Sequence, residues 1–279
     1  MTGDLQEISY GKSRVRVAKI TRYPDRHDFS ELTVDVRLDG AFEGSYLTGD
    51  NKRIVATDTM KNVVQALAGE NPIDPIETFG RRLGRHFLDV HQHVTGVQIK
   101  IRERKWLRLD EYAYEQSQEQ RLAHVTATRE DTVVESGVGN LVLLKTTKSR
   151  FEGYIKDRHT TLLETKDRIL ATSITALWRH RDPNVDFNTS MKACRQALVG
   201  TFAGHESRAV QQTLYAMGEA LLACQPSVDR VHLSLPNKHY LPVDLSPFGI
   251  ENRNEIFLPV DEPHGLIEAT LTRVERPPA

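Results

Sequence analysis

Cysteine is scarce in this chain of 279 residues: Cys194 and Cys224 stand far apart and form no CxxC pattern. That excludes a disulfide framework as the basis of the fold and fits a reducing compartment. An excess of one charge is also missing, since 37 basic and 38 acidic residues leave a net charge of −1. A nucleic-acid footprint needs a clear basic excess on some face, so no nucleic-acid partner is expected. The densest basic run, Arg81-Arg82-Leu83-Gly84-Arg85-His86, falls within an amphipathic helical pattern and reads as a solvated helix face. No apolar run approaches membrane-spanning length, and no membrane partner is expected. Residues 1–12 lack the apolar core of a secretory signal, and the final residues, Arg276-Pro277-Pro278-Ala279, carry no peroxisomal Ser-Lys-Leu address. A cytoplasmic location is the resulting expectation.

The common chemical signatures are absent as well. There is no GxGxxG, P-loop or GxSxG, and the 11 histidines form neither HExxH nor a Cys/His cluster with zinc spacing. The tightest histidine group, His91-Gln92-His93, sits at a helix end and reads as ordinary surface histidines.

What is present is periodicity, and the same order of it twice. Val15, Val17 and Ile20, then Leu32, Val34, Val36 and Leu38, approach alternation and predict two half-buried strands. Met60, Val63, Val64 and Leu67 share a helical stripe, with Asp58 as N-cap and Gly69 as the stop. Residues 71–75 form a turn. Asp74-Pro75-Ile76-Glu77 then opens a second helix, Asp74 capping and Glu77 returning as capping-box partner, with Phe79, Leu83, Phe87 and Val90 as its buried stripe. Val97, Ile99 and Ile101 alternate, and residues 102–135 read as a long strand pair with an irregular connection.

The second half repeats the order. Residues 141–144 are a strand, and Ile174, Ala176 and Trp178 alternate in another. One helix covers residues 191–202, and another starts at Ser207 with Val210, Leu214, Met217 and Leu221 on one face. Val231, Leu233 and Leu235 match Val97, Ile99 and Ile101, and residues 266–271 close the pattern. Strand, strand, helix, helix, strand, strand therefore occurs twice, which predicts two repeats, residues 1–136 and 137–279. Helices grouped between hairpins imply an α+β fold, an antiparallel sheet with helices on one face.

Three segments carry a sharper signal: Tyr10-Gly11-Lys12, Val55-Ala56-Thr57-Asp58-Thr59, and Ser234-Leu235-Pro236-Asn237-Lys238-His239-Tyr240. Together with residues 154–168, ending Glu164-Thr165-Lys166-Asp167-Arg168, they resemble the urate oxidase (uricase) family, in the same order over nearly the whole chain. The segment around Tyr112-Ala113-Tyr114 departs from it, since many relatives have a histidine there. The resemblance implies the tunnelling fold, in which subunits pair their sheets into a barrel and two barrels stack as a homotetramer. It implies cofactor-free oxidation of urate by molecular oxygen to 5-hydroxyisourate and hydrogen peroxide. An oxidase without flavin, haem or metal must draw its redox chemistry from the substrate.

Site residues follow from the same resemblance. Urate is a planar anion that must lose a further proton before reducing oxygen, and Lys12 and Thr57 supply the relay, with His239 joining it. On its own Lys12 reads as a surface lysine before a strand. Thr57 and Asp58 alone read as helix-start residues, where free N–H groups also suit an anionic heterocycle. Arg168 and Gln211 grip the opposite edge of the purine with the N–H of Val210, and Phe151 stacks under its plane. Without the motif Gln211 is an exposed helix-start glutamine, Phe151 a core aromatic and His239 a strand-end histidine. Asn237 holds oxygen above the ring, and alternation with Lys238 lets Asn237 and His239 face one cavity.

Two rivals remain at this level. One is another tunnelling-fold enzyme acting on purines or pterins; such relatives place glutamate at the gripping position and often use zinc, neither of which is evident. The other is a non-catalytic purine-binding paralogue. Joint retention of Lys12, Thr57, Asn237 and His239 argues against it, because a binder needs only the grip.

Overall fold

The structure, a computed structural model, describes residues 3–274. The Arg276–Ala279 end, on which the expectation of no peroxisomal address rests, lies outside the described residues.

The elements run β1 (Ser9–Arg22), β2 (His27–Gly40), α1 (Glu43–Thr48), α2 (Thr57–Glu70), α3 (Ile76–Val90), β3 (Val94–Arg108) and β4 (Tyr114–Ala127). They continue β5 (Thr132–Lys145), β6 (Leu170–His180), α4 (Phe187–Gly204), α5 (Val210–Cys224), β7 (Val228–Pro242) and β8 (Phe257–Thr272), with a 3-10 turn at Ser246–Phe248. The α+β order anticipated from periodicity is therefore present twice, with the short α1 added to the first copy. Strands are hydrogen-bonded in chain order from β1 to β8. The β1–β2, β2–β3, β3–β4 and β7–β8 ladders are antiparallel.

Two compact units result, residues 1–137 with 178–189, and residues 138–177 with 190–279. In the first, α2 packs on β1 and α3 on β3 and β4. Leu32, Val34, Val36, Leu38, Val97, Ile99 and Ile101 form the strand side of a core that Met60, Val64, Phe79, Leu83 and Phe87 complete from the helices. Each fully buried large side chain contributes about 2 kcal/mol of transfer free energy. In the second, α5 packs on β7 and β8, and Leu214, Met217, Leu221, Val231, Leu233 and Leu235 are buried.

The repeat is also written in helix capping. The Arg129 guanidinium, just beyond β4, donates to Leu88 O at 2.9 Å, His91 O at 3.2 Å and Val94 O at 2.5 Å at the end of α3. Arg273, just beyond β8, donates to Leu222 O, to Gln225 O at 3.1 Å and to Val228 O at 3.0 Å at the end of α5. Likewise Lys19 in β1 caps α2 through Ala68 O (2.6 Å) and Asn71 O (2.7 Å), and Lys145 in β5 caps α4 through His205 O (2.5 Å). Cations at these ends satisfy orphan carbonyls and complement the negative pole of each helix.

Several local expectations are corrected. Asp58 is not the N-cap of α2; that position is Ala56, with no capping side chain. Gly69 does not stop α2, which runs through Glu70 to an extended Asn71. Pro75 is the N-cap of α3, with no capping side chain, and Glu77 is not a capping-box partner. Glu77 is instead fully buried and ion-paired with Arg121 at 2.7 Å, because a charge partner across the core outcompetes its own helix end. Val90 is 58% exposed, since α3 ends there and its last turn leaves the core. The expected strand pair in residues 102–135 is the β3–β4 hairpin, and Tyr112-Ala113-Tyr114 lies at its turn, where Tyr112 packs edge-on against His27 at 5.1 Å.

Candidate active site

The first set of candidate residues lies where β1 meets the start of α2. In the register of β1 on β2, Gly11 lies opposite Arg37 and Lys12 opposite Val36. A Cβ on Gly11 would fall 1.9 Å from Val36 O, so only glycine lets the strands approach there. Immediately after Lys12 the ladder slips, and Arg14 takes a positive φ of 59° with its N–H donating to Asp35 Oδ1 at 2.7 Å. Such a bulge kinks the strand and re-aims its side chains. Lys12 therefore sits half-buried as the last residue of the regular register.

Tyr10 ties this strand to the other motif. Its hydroxyl donates to Val55 O at 3.1 Å and accepts the Val55 N–H at 2.7 Å, saturating that residue's backbone. The ring stands edge-on to Phe42 at 4.8 Å, and burial raises the phenol pKa above its ordinary value. Two residues beyond Val55, Thr57 opens α2, and Thr57, Asp58 and Thr59 are exposed. With no side-chain cap, the first-turn N–H groups of α2 are available to an anionic or polar ligand. The Asp58 carboxylate turns back along the helix to Lys61 and Asn62. The Lys61 contact holds its pKa below the usual carboxylate range, and the Lys12 ammonium adds to that. The Tyr10–Val55 contact is what brings the strand end that carries Lys12 to the start of α2.

The second set comes together around residues 148–151. Arg168 N–H donates to Ser149 O at 2.9 Å, and Phe151 and Thr165 exchange backbone bonds at 2.8 and 3.1 Å. On the other side Arg150 N–H donates to Ser207 O, and Ser207 N–H to Lys148 O, both at 2.9 Å. Phe151, Arg168 and the start of α5 are thus stitched through one segment. The Arg168 guanidinium lies 5.1 Å from the Phe151 ring centroid, and that ring is stacked on Tyr154 at 4.8 Å. Arg168 Nε is buried without a hydrogen-bond partner, and burial lowers the group's pKa, although a guanidinium stays charged. A buried donor left open in this way suits a ligand's acceptor.

The helix that carries Gln211 begins at Val210, three residues later than Ser207. Ala209 is its N-cap and offers no side-chain bond. Gln212 folds back, its Oε1 accepting Arg208 N–H at 3.0 Å, while Gln211 is exposed. Val210 N–H and the Gln211 amide therefore sit in an uncapped first turn.

Asn237 and His239 are half-buried near the end of β7. The ladder with β8 shifts between them, from Asn237 opposite Gly265 to His239 opposite Val260. Lys238, between them, pairs with Asp261 at 2.8 Å. The structure thus groups Lys12 with Thr57 and Asp58 in the first unit. It groups Phe151 with Arg168, Val210 and Gln211 in the second, where Asn237 and His239 lie on their own strand.

The family model described as uricase matches this chain twice, over residues 8–133 and 134–268. The uricase of Arthrobacter globiformis is 41% identical over 96% of this chain and 90% of its own length, and that of Dictyostelium discoideum is 40% identical over 95% and 96%. The chain belongs to the uricase family. The crystal structure of the Arthrobacter globiformis uricase covers 100% of this chain and 98% of its own, with a TM-score of 0.95 at 40% identity. At 21% identity the urate oxidase of Bacillus sp. TB-90 still superposes with a TM-score of 0.84, so the uricase fold outlasts most of its sequence.

Within Tyr10-Gly11-Lys12 the uricase motif points to Lys12 alone as a site residue. The structure gives its two neighbours work as well, Tyr10 in holding Val55 and Gly11 in the close approach to β2. The signal for both is their residue type, since a tyrosine and a glycine fixed beside a lysine are suited to anchor and closely pack a strand.

Proposed function

We propose that this chain oxidises urate with molecular oxygen and no cofactor, at sites shared between the subunits of a homotetramer. Urate oxidation is the activity that family membership carries; the observation that carries the site is the pairing of two uncapped helix starts with cations. One set offers the α2 N–H groups at the end of the strand that carries Lys12, the other an open Arg168 donor on a segment bonded to the residues just before α5.

Arg168 and Gln211 hold one edge of the urate anion with the Val210 N–H, and Phe151 supports the plane. The Asp58 N–H meets the opposite edge. Its carboxylate is engaged by Lys61 and so does not repel the anion. Lys12, Thr57 and His239 manage the proton that urate must lose, and Asn237 with Thr57 holds oxygen over the ring. Electrons pass from urate to oxygen, the two recombine as a hydroperoxide, and loss of hydrogen peroxide with hydration gives 5-hydroxyisourate. The protein supplies orientation and proton management.

The two sets belong to different repeats, which we read as residues 1–136 and 137–279. An isologous contact between two subunits brings the first repeat of one to the second repeat of the other. Urate loss followed by ultraviolet absorbance, with oxygen uptake, after exhaustive chelation tests the chemistry. Full activity without flavin absorbance is expected. Activity lost on chelation and restored by a metal would overturn the cofactor-free reading.

A further inference from the structure

We infer that Tyr10 is a positioning residue for the reaction: its hydroxyl, bonded to both backbone groups of Val55, sets the place of Thr57 relative to Lys12. The inference rests on the reading of Thr57 and Lys12 as the proton relay.

Tyr10 and Lys12 belong to one strand, two residues apart and on the same side of it, before the bulge. Thr57 follows Val55 by two residues, across a backbone that turns from extended at Ala56 into α2. The helix start has no side-chain cap to fix its entry angle. What holds it is the two-point contact of Tyr10, at 2.7 and 3.1 Å, which couples strand and helix start through a single side chain. One bond would leave a hinge about its own axis; two bonds to one peptide residue restrict rotation as well. Gly11 keeps β1 pressed onto β2, and the Tyr10 ring is itself seated against Phe42, so the clamp is anchored on a rigid sheet. Hydroxyl and ammonium then keep a fixed separation without any direct bond between them. A displacement of about 1 Å in such a pair costs about 100-fold in rate.

The test is a double-mutant cycle between Tyr10→Phe and Thr57→Ala, read as kcat and KM for urate and as binding of a non-reactive urate analogue. Tyr10→Phe should lower kcat about 10- to 100-fold and leave analogue binding within about two-fold. On the Thr57→Ala background the same change should cost less than about two-fold, since Tyr10 then has no relay to place. Tyr46→Phe, which removes a 3.2 Å bond to Ser9 O on the same strand, should leave kcat unchanged. Equal costs of Tyr10→Phe on both backgrounds, or an equal kcat loss in Tyr46→Phe, would overturn the inference. Should Tyr10→Phe be recovered unfolded, 4-aminophenylalanine at position 10, which retains a polar para group, carries the same cycle: a cost confined to the Thr57 background supports the inference, and equal costs overturn it. If Thr57→Ala itself keeps full kcat, the relay reading fails instead, and the two failures are told apart by that single variant.

Discussion

The Arg121 guanidinium lies 2.7 Å from Glu77, a carboxylate with no exposed surface. The same carboxylate accepts Ser136 Oγ at 2.6 Å, and Arg121 reaches Asp74 at 3.3 Å and Asn188 at 2.6 Å. This network joins β4 to the start of α3, the helix that carries the core of the first unit.

Breaking it from the cationic side should be severe. Arg121→Met leaves Glu77 buried and unpaired, and should destabilise the fold by about 3–5 kcal/mol. Adding Glu77→Leu should recover a large part of the loss, because the uncompensated charge is then gone. Urea unfolding of the two variants checks this; equal stabilities would show that packing by Arg121, and not charge pairing, is what matters.

Glu103 faces Arg121 across the β3–β4 ladder, and burial raises its pKa to about 7, Asp74 and Glu77 adding to the rise against Arg121. A folded-state pKa above the ordinary glutamate value means the folded chain binds this proton more tightly. Its stabilisation is fully present below about pH 4.5 and is lost as pH rises through about 7. Glu103→Gln should therefore remove a decline of up to about 3 kcal/mol across that window. Melting temperatures of both proteins against pH, parallel throughout, would contradict it.

Lys12→Met should lower kcat by about two to four powers of ten while a non-reactive urate analogue binds nearly as before. On the proposed reading the relay acts in the transition state and the grip lies with Arg168 and Gln211. An unchanged kcat in a folded variant removes Lys12 from the mechanism.

Much of the fold was legible in the sequence for a physical reason. Alternation in Leu32, Val34, Val36 and Leu38, or in Val97, Ile99 and Ile101, reports a sheet with one buried face, and all seven are buried. The family motifs then named residues of which the fold places Thr57 and Asp58 at one helix start and Phe151 with Arg168 in one bonded segment, with Asn237 and His239 on a strand of their own. What stayed hidden were polar side chains whose partners are distant in sequence. Glu77 follows a Pro at a helix start and imitates a capping box, yet its partner Arg121 is on β4. Arg129 and Arg273 each close a helix end more than 35 residues away, with no local pattern to mark them. Tyr10 stands in a family motif, but its bond partner Val55 lies 45 residues away.

The central claim is that each site takes Thr57 from one subunit and Arg168 from another. Thr57→Ala and Arg168→Ala, each folded and nearly inactive alone, are to be co-expressed and the urate oxidation of the mixed oligomers measured. If sites are shared, a mixed pair gathers both lesions in one site and leaves the other intact, so random pairing should return roughly a quarter of wild-type activity. If each chain builds its own site, every site keeps one lesion, and verified mixed oligomers that stay inactive would contradict the account.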